Sequence, residues 1–209
     1  MKHLVPGIAA MALVVVASNI LVQFLLLDGL LTWGAFSYPL AFLVTDIMNR
    51  VYGAQAARRV VLAGFVVGIA SSLIGSQIML EYGPAVAFRV AVGSAVAFLA
   101  AQLLDVAVFN RLRAGSWWRA PLVSTLVSST VDTILFFSIA FSMTFGVFGQ
   151  AANDQVSWAW DVVPFLTRGP GAPLWVSLAV ADWAVKLAVA LVALLPFRLF
   201  VGRMLQSQK

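Results

Sequence analysis

The sequence predicts an all-α integral membrane protein with six transmembrane helices. Three observations carry this. Hydrophobic residues make up 62% of its 209 residues, and the mean hydropathy is +0.99. Only 10% are charged, against about 25% in a soluble domain. Long apolar runs alternate with short loops, and the basic residues collect in every second loop. A net charge of +5 would suggest nucleic acid in a soluble protein. Here the arginines flank apolar runs, where they set orientation, and nucleic-acid binding is not expected. Cysteine is absent, so disulfides, thiol chemistry and cysteine metal sites are excluded. The one histidine is His3, which leaves a histidine-based metal site or triad nothing to build on.

The first span covers about residues 4–27. Its apolar run is too long for a signal peptide and is read as a retained helix. Asn19 and Gln23, four apart, share a face. The second span, about 34–52, organises the rest. It opens on Trp33 and Gly34, meets Pro39, and ends towards Arg50, Arg58 and Arg59. Pro39 removes a backbone donor and kinks the helix near its outer end. Asp46 lies inside this run, where a charge costs roughly 2.5–3.5 kcal/mol at the helix centre.

The third span, about 60–80, carries Gly64, Gly68, Ser72 and Ser76 at every fourth position, a ridge that admits another helix closely. After the turn Glu81-Tyr82-Gly83-Pro84, the fourth span, about 85–109, places Gly93, Ala97, Ala101 and Asp105 on one face. The loop NRLRAGSWWRA, residues 110–120, is an interface anchor of arginine and tryptophan. The fifth span, about 121–148, aligns Ser124, Ser128 and Asp132. Residues 149–173 form an extracytoplasmic interfacial loop, and the sixth span, about 174–195, holds Asp182 and Lys186. All 209 residues form one transmembrane domain. One side collects Lys2, Arg50, Arg58, Arg59, Arg111, Arg113, Arg119, Arg198, Arg203 and Lys209, the other only Arg89 and Arg168. The positive-inside rule then puts both termini in the cytoplasm.

Asp46, Asp105, Asp132 and Asp182 therefore lie within spans and must face the bundle interior or a wet cavity. Asp182 with Lys186, and Asp46 with Arg50, have the i,i+4 spacing of helical charge pairs. Either is a gating or merely structural pair. Asp132 and Asp105 have no such partner on their own helices and are the sharper candidates for a ligand. Amides and hydroxyls at Asn19, Gln23, Thr45, Asn49, Gln102, Ser124 and Ser128, with rings at Tyr38 and Phe42, suit a small planar heterocycle. A carboxylate can accept two parallel hydrogen bonds from the adjacent N–H donors of a guanine-like edge.

Several of these blocks are familiar. SNILVQ (18–23), TWGAFSYP (32–39), VTD (44–46), YGAQAARR (52–59), QLLDVAVFNRLR (102–113), WWRAPLVST (117–125), SSTVDTILFFSIAF (128–141) and VADWAVKLAV (180–189) resemble the bacterial queuosine-precursor transporters, the putative vitamin uptake transporter family. The likeness runs from the first span to the sixth, the long outer loop excepted. It implies a multi-pass inner-membrane importer of 7-cyano-7-deazaguanine or its 7-aminomethyl relative, serving salvage for tRNA modification. It implies no cofactor and no enzymatic activity. At fold level it suggests a similarity to the membrane substrate-binding components of energy-coupling-factor transporters. The expected site is Asp132 and Asp46 with Asn19 and Gln23 assisting, and Asp105, Gln102, Tyr38, Phe42 and Ser128 around them. The chain is expected to sit among membrane lipid and to work alone or as a homodimer. Two alternatives stand beside this: a binding subunit served by a separate ATP-driven module, since no P-loop pattern occurs, and an intramembrane aspartyl hydrolase built on Asp46 and Asp105.

Overall fold

The computed structural model describes residues 4–81 and 83–206. Lys2, His3, Tyr82 and Lys209, which figure in the sequence reading, lie outside them. Helices α1 (Val5–Leu21), α2 (Gly34–Ser37), α3 (Leu40–Tyr52), α4 (Ala54–Gln77), α5 (Phe88–Leu112), α6 (Arg119–Phe141), α7 (Gln150–Asp154) and α8 (Leu174–Gln206) make up most of it. Three small antiparallel hairpins join them: β1 (Leu25–Leu26) with β2 (Leu31–Thr32), β3 (Met79–Leu80) with β4 (Gly83–Pro84), and β5 (Val162–Pro164) with β6 (Gly171–Pro173).

Four helices, α4, α5, α6 and α8, are long and apolar enough to cross a membrane. At 1.5 Å per residue, α4 reaches about 36 Å, against a hydrocarbon core of about 30 Å. Helix α1 is apolar but has 17 residues. It stops at Leu21, short of the expected residue 27, because the chain reverses through Leu27, Asp28 and Gly29, all at positive φ. Helices α2 and α3 nearly form one run. Tyr38 and Pro39 keep right-handed helical dihedrals, and the N–H groups of Ala41 and Phe42 bond carbonyls three residues back. Pro39 thus tightens the ladder without ending it. Helix α4 starts earlier than expected, directly after Gly53, whose φ of 87° lets two helices meet across one residue. Helix α8 runs on through Pro196 to Gln206, so Arg198 and Arg203 belong to a helix.

The connections sort to two ends. At one end Gln23 Nε2 donates to the Ala85 carbonyl and Phe88 N–H donates to Gln155 Oε1, tying together the segments after α1, α4 and α6. At the other end Arg50 donates to the carbonyls of Arg113 and Trp117, and Arg198 lies over the Trp117 ring. Helix α3 sits innermost, packed against α1, α4, α5, α6 and α8. The exterior is apolar: Leu13, Val66, Leu73, Ile134, Leu191 and Leu195 all point outward. The interior holds Thr45, Asp46, Asn49, Gln102, Asp105, Ser128, Asp132 and Lys186. That arrangement suits a lipid solvent.

Small residues set the helix spacing. The side chain of Met11 in α1 fills the space beside Gly64 of α4, and Val15 packs on Gly68. The ridge is thus used within the chain. On α5, a Cβ at Gly93 would press on the Phe136 carbonyl and on Ala140 of α6 at 3.2–3.3 Å. The end opposite Arg50 and Arg198 is pinned by Arg89, fully buried at the start of α5. Its guanidinium donates to the carbonyls of Ile139 and Ser142, at the end of α6, and to Asn153 Oδ1. It satisfies carbonyls that a helix terminus leaves open and places a cation at the negative end of the dipole. Residues 149–173 are accordingly docked: Val156 and Ala159 are buried against Phe137 and Phe141, and Trp160 Nε1 donates to the Phe141 carbonyl. Gly64→Val should force α1 off α4 at a cost of about 1–3 kcal/mol, read as a lower melting temperature in detergent; an unchanged melting temperature would contradict this packing.

Candidate functional site

Two polar centres lie inside the bundle. The first is a layer between α3, α5 and α6. Thr45, Asp46 and Asn49 follow Phe42 at helical spacing and share the inward face of α3. Gln102 and Asp105, three apart, do the same on α5, and Ser124, Thr125 and Ser128 on α6. All are buried. Ser124 Oγ donates to Asp46 Oδ1 at 3.3 Å and Thr125 Oγ1 to Asp46 Oδ2 at 3.4 Å. Thr45 Oγ1 donates to Gln102 Oε1 at 2.6 Å, and Asn49 Nδ2 to the Val106 carbonyl at 3.0 Å. The Asp105 carboxylate lies against Asp46 and Ser124, at a geometry that leaves both its oxygens without a hydrogen bond. Gln102 Nε2, Asn49 Oδ1 and Ser128 Oγ also lack a partner. Buried polar atoms are normally satisfied, because an unsatisfied one costs about 1–3 kcal/mol. These are the five buried side-chain atoms without partners among the described residues, and they belong to one layer of three adjoining helices.

The second centre joins α6 to α8. Lys186 Nζ is 2.7 Å from Asp132 Oδ2 and 2.5 Å from Asp182 Oδ2, and donates to Thr133 Oγ1 at 3.0 Å. Thr133 in turn donates to Asp182 Oδ2. Tyr38 donates to Asp132 Oδ1 at 3.3 Å, and its ring lies 5.6 Å from the ammonium. One cation thus serves two carboxylates. Ser128 stands one helical turn from both Ser124 and Asp132 and so lies between the two centres.

The Asp182–Lys186 pair forms as its spacing suggests. Asp132, alone on its own helix, gains its cation from α8, a pairing that no local spacing could reveal. The Asp46–Arg50 pair does not form. Arg50 turns to the carbonyls of Arg113 and Trp117 and lies over the Phe109 ring at 5.2 Å. The open carbonyls where α5 ends are the better acceptors there. Phe42 is buried beside Asp46. Asn19 Nδ2 donates to the Val15 carbonyl of its own helix, and Gln23 is exposed at the hairpin end; neither joins either centre. The sequence reading counted Arg89, at the start of the fourth span, only towards the charge of the outer side and missed its structural role. A lone arginine opening an apolar run was the available signal.

A crevice beside Phe42, Asp46, Thr125 and Phe197 has a volume of about 10 Å³, room for one water at most. A larger hollow of about 340 Å³ opens on the flank between α6 and α8, lined mainly by Ile134, Phe137, Trp175 and Trp183.

The family model described as "Putative vitamin uptake transporter" matches residues 32–201. A queuosine precursor transporter of Escherichia coli K12 is 34% identical over 200 residues, covering 88% of this chain and 79% of the relative. A probable queuosine precursor transporter of Haemophilus influenzae is 33% identical over 176 residues, covering 79% of this chain and 66% of the relative. One from Bacillus subtilis, described in the same words, is 26% identical over 197 residues, covering 85% and 74%. No solved structure gives a significant match. With a fold whose outer surface is apolar and which buries Asp46, Asp105, Asp132 and Lys186 within its helices, the chain belongs to the putative vitamin uptake transporter family and is a membrane transporter, not an enzyme.

Proposed function

We propose that the chain imports queuosine precursors of the 7-deazaguanine type, 7-cyano-7-deazaguanine or 7-aminomethyl-7-deazaguanine, across a bacterial inner membrane. It crosses six times: α1, the α2–α3 run, α4, α5, α6 and α8. Both termini face the cytoplasm, since the end that carries Arg50, Arg113 and Arg198 is the basic one. The base binds between α3, α5 and α6. The observation behind this is the set of partnerless buried atoms in that layer. Asp105 has two free oxygens for the N1–H and 2-amino donors. Gln102 Nε2 and Ser128 can donate to the base carbonyl, and Asn49 Oδ1 can accept from a remaining N–H. Phe42 supplies an adjoining ring face. This choice moves the recognition role from Asp132, whose oxygens are already taken by Lys186 and Tyr38, to Asp105.

The crevice beside Asp46 is too small for a base, and solute entry requires the helices to part. The Lys186 centre is the natural lock, because it ties α6 to α8 and to Tyr38, beside the interruption at Pro39.

Two outcomes are expected with the purified chain in liposomes. Asp105→Asn should weaken binding of labelled 7-cyano-7-deazaguanine about 10- to 100-fold, the loss of a charge-assisted contact of about 1.5–3 kcal/mol, with no fall in melting temperature. Binding equal to wild type would remove Asp105 from the site. Lys186→Met alone should lose about 3–5 kcal/mol of stability by stranding buried carboxylates, and Lys186→Met with Asp132→Asn should recover part of the melting temperature but not uptake. A double variant no more stable than the single would show that the lysine is not held by Asp132.

A further inference from the structure

We propose that Asp46 and Asp105 hold one proton between them, and that this proton crosses the membrane with the solute. The coupling rests on the reading that the base binds at Asp105. The two carboxylates are buried side by side on adjoining helices, and among the described residues neither forms an ion pair. Among the described residues, the cations on the surrounding elements make their direct contacts elsewhere. On α3 itself, Arg50 acts on Asp46 through space only, with its guanidinium hydrogen-bonded to backbone carbonyls at the basic end. On α4, Arg58 and Arg59 are exposed at the first turns. Helix α1 has no charged residue. On α5, Arg89 is bonded at the far end, and Arg111 and Arg113 lie beyond the layer. From α6 come the Ser124 and Thr125 hydroxyls and Asp132, which has taken Lys186 of α8, as has Asp182; Tyr38 donates to Asp132.

Two like charges buried against each other with no cation paired to either do not both stay ionised. One acid and one carboxylate can, and they fit the task. An Asp46 O–H bond forms with a proton from the outer water. Asp105 stays charged and accepts the base. When the bundle opens inward the base leaves, and the Asp46 O–H bond breaks to cytoplasmic water. The partnerless Gln102, Asn49 and Ser128 atoms around the pair indicate a layer built for an occupant and not for packing alone.

The test uses the full chain in liposomes with uncharged 7-cyano-7-deazaguanine and a pH dye in the lumen. Acid outside should raise initial uptake several-fold over symmetric pH, and the lumen should acidify in step with the base. Infrared spectra should show a protonated-carboxyl band that is lost in Asp46→Asn and in Asp105→Asn. If the wild type lacks that band, the shared proton is overturned. A band with uptake indifferent to the gradient overturns the coupling. A band with no saturable binding of the base overturns the substrate reading on which the coupling stands.

Discussion

A carboxylate inside an apolar bundle must be paired with a cation, protonated, or held by a ligand, because lipid offers it nothing. The rest of the structure depends on how this chain meets that constraint four times. Asp132 and Asp182 share Lys186. Asp46 takes two hydroxyls from α6. Asp105 takes none of these and keeps both oxygens free. The first two arrangements hold helices together. The last leaves a vacancy in hydrogen bonding at the centre of the fold, and function is to be sought where the structure leaves its most costly group unsatisfied.

The scaffold around that vacancy is made rigid by simple means. Gly64 lets Met11 sit within the α1–α4 contact, and Gly93 brings α5 against α6. Gly53 turns α3 directly into α4. Arg89 ties the C-terminal end of α6 to α5 and to the segment after it. These fixings hold α3, α5 and α6 at a set depth, so Asp46, Asp105 and Ser124 meet at one level. The α6–α8 seam differs. It is held by ions across a partly open flank, where Ile134 and Trp183 reach the surface, and is the seam best suited to part.

Much of this was legible in the sequence, because hydropathy and helical period are local properties. The apolar runs, the ridge at Gly64 and Gly68, the face shared by Ser124, Ser128 and Asp132, and the Asp182–Lys186 pair all follow from spacing. What spacing cannot give is the rotation and depth of one helix against another. That is why Asp132 was read without its partner from α8, why Asp46 and Arg50 were paired although tertiary acceptors draw Arg50 away, and why Asn19 and Gln23 were grouped with buried polar residues to which they make no hydrogen bond. The hairpin over residues 25–32 was lost for another reason: its leucines read as the end of a helix, and only the turn at Asp28-Gly29 separates them from it.

In the proposed transport cycle the base occupies the layer between α3, α5 and α6. The chain contains no cysteine, so Ser128→Cys places a single thiol in that layer on an otherwise unreactive background. The direct measurement is the rate at which a small thiol reagent alkylates this cysteine in membranes, with and without 7-cyano-7-deazaguanine. Slow alkylation that the base suppresses in a saturable way is expected. Alkylation that proceeds at the same rate with the base bound would show that the solute lies elsewhere.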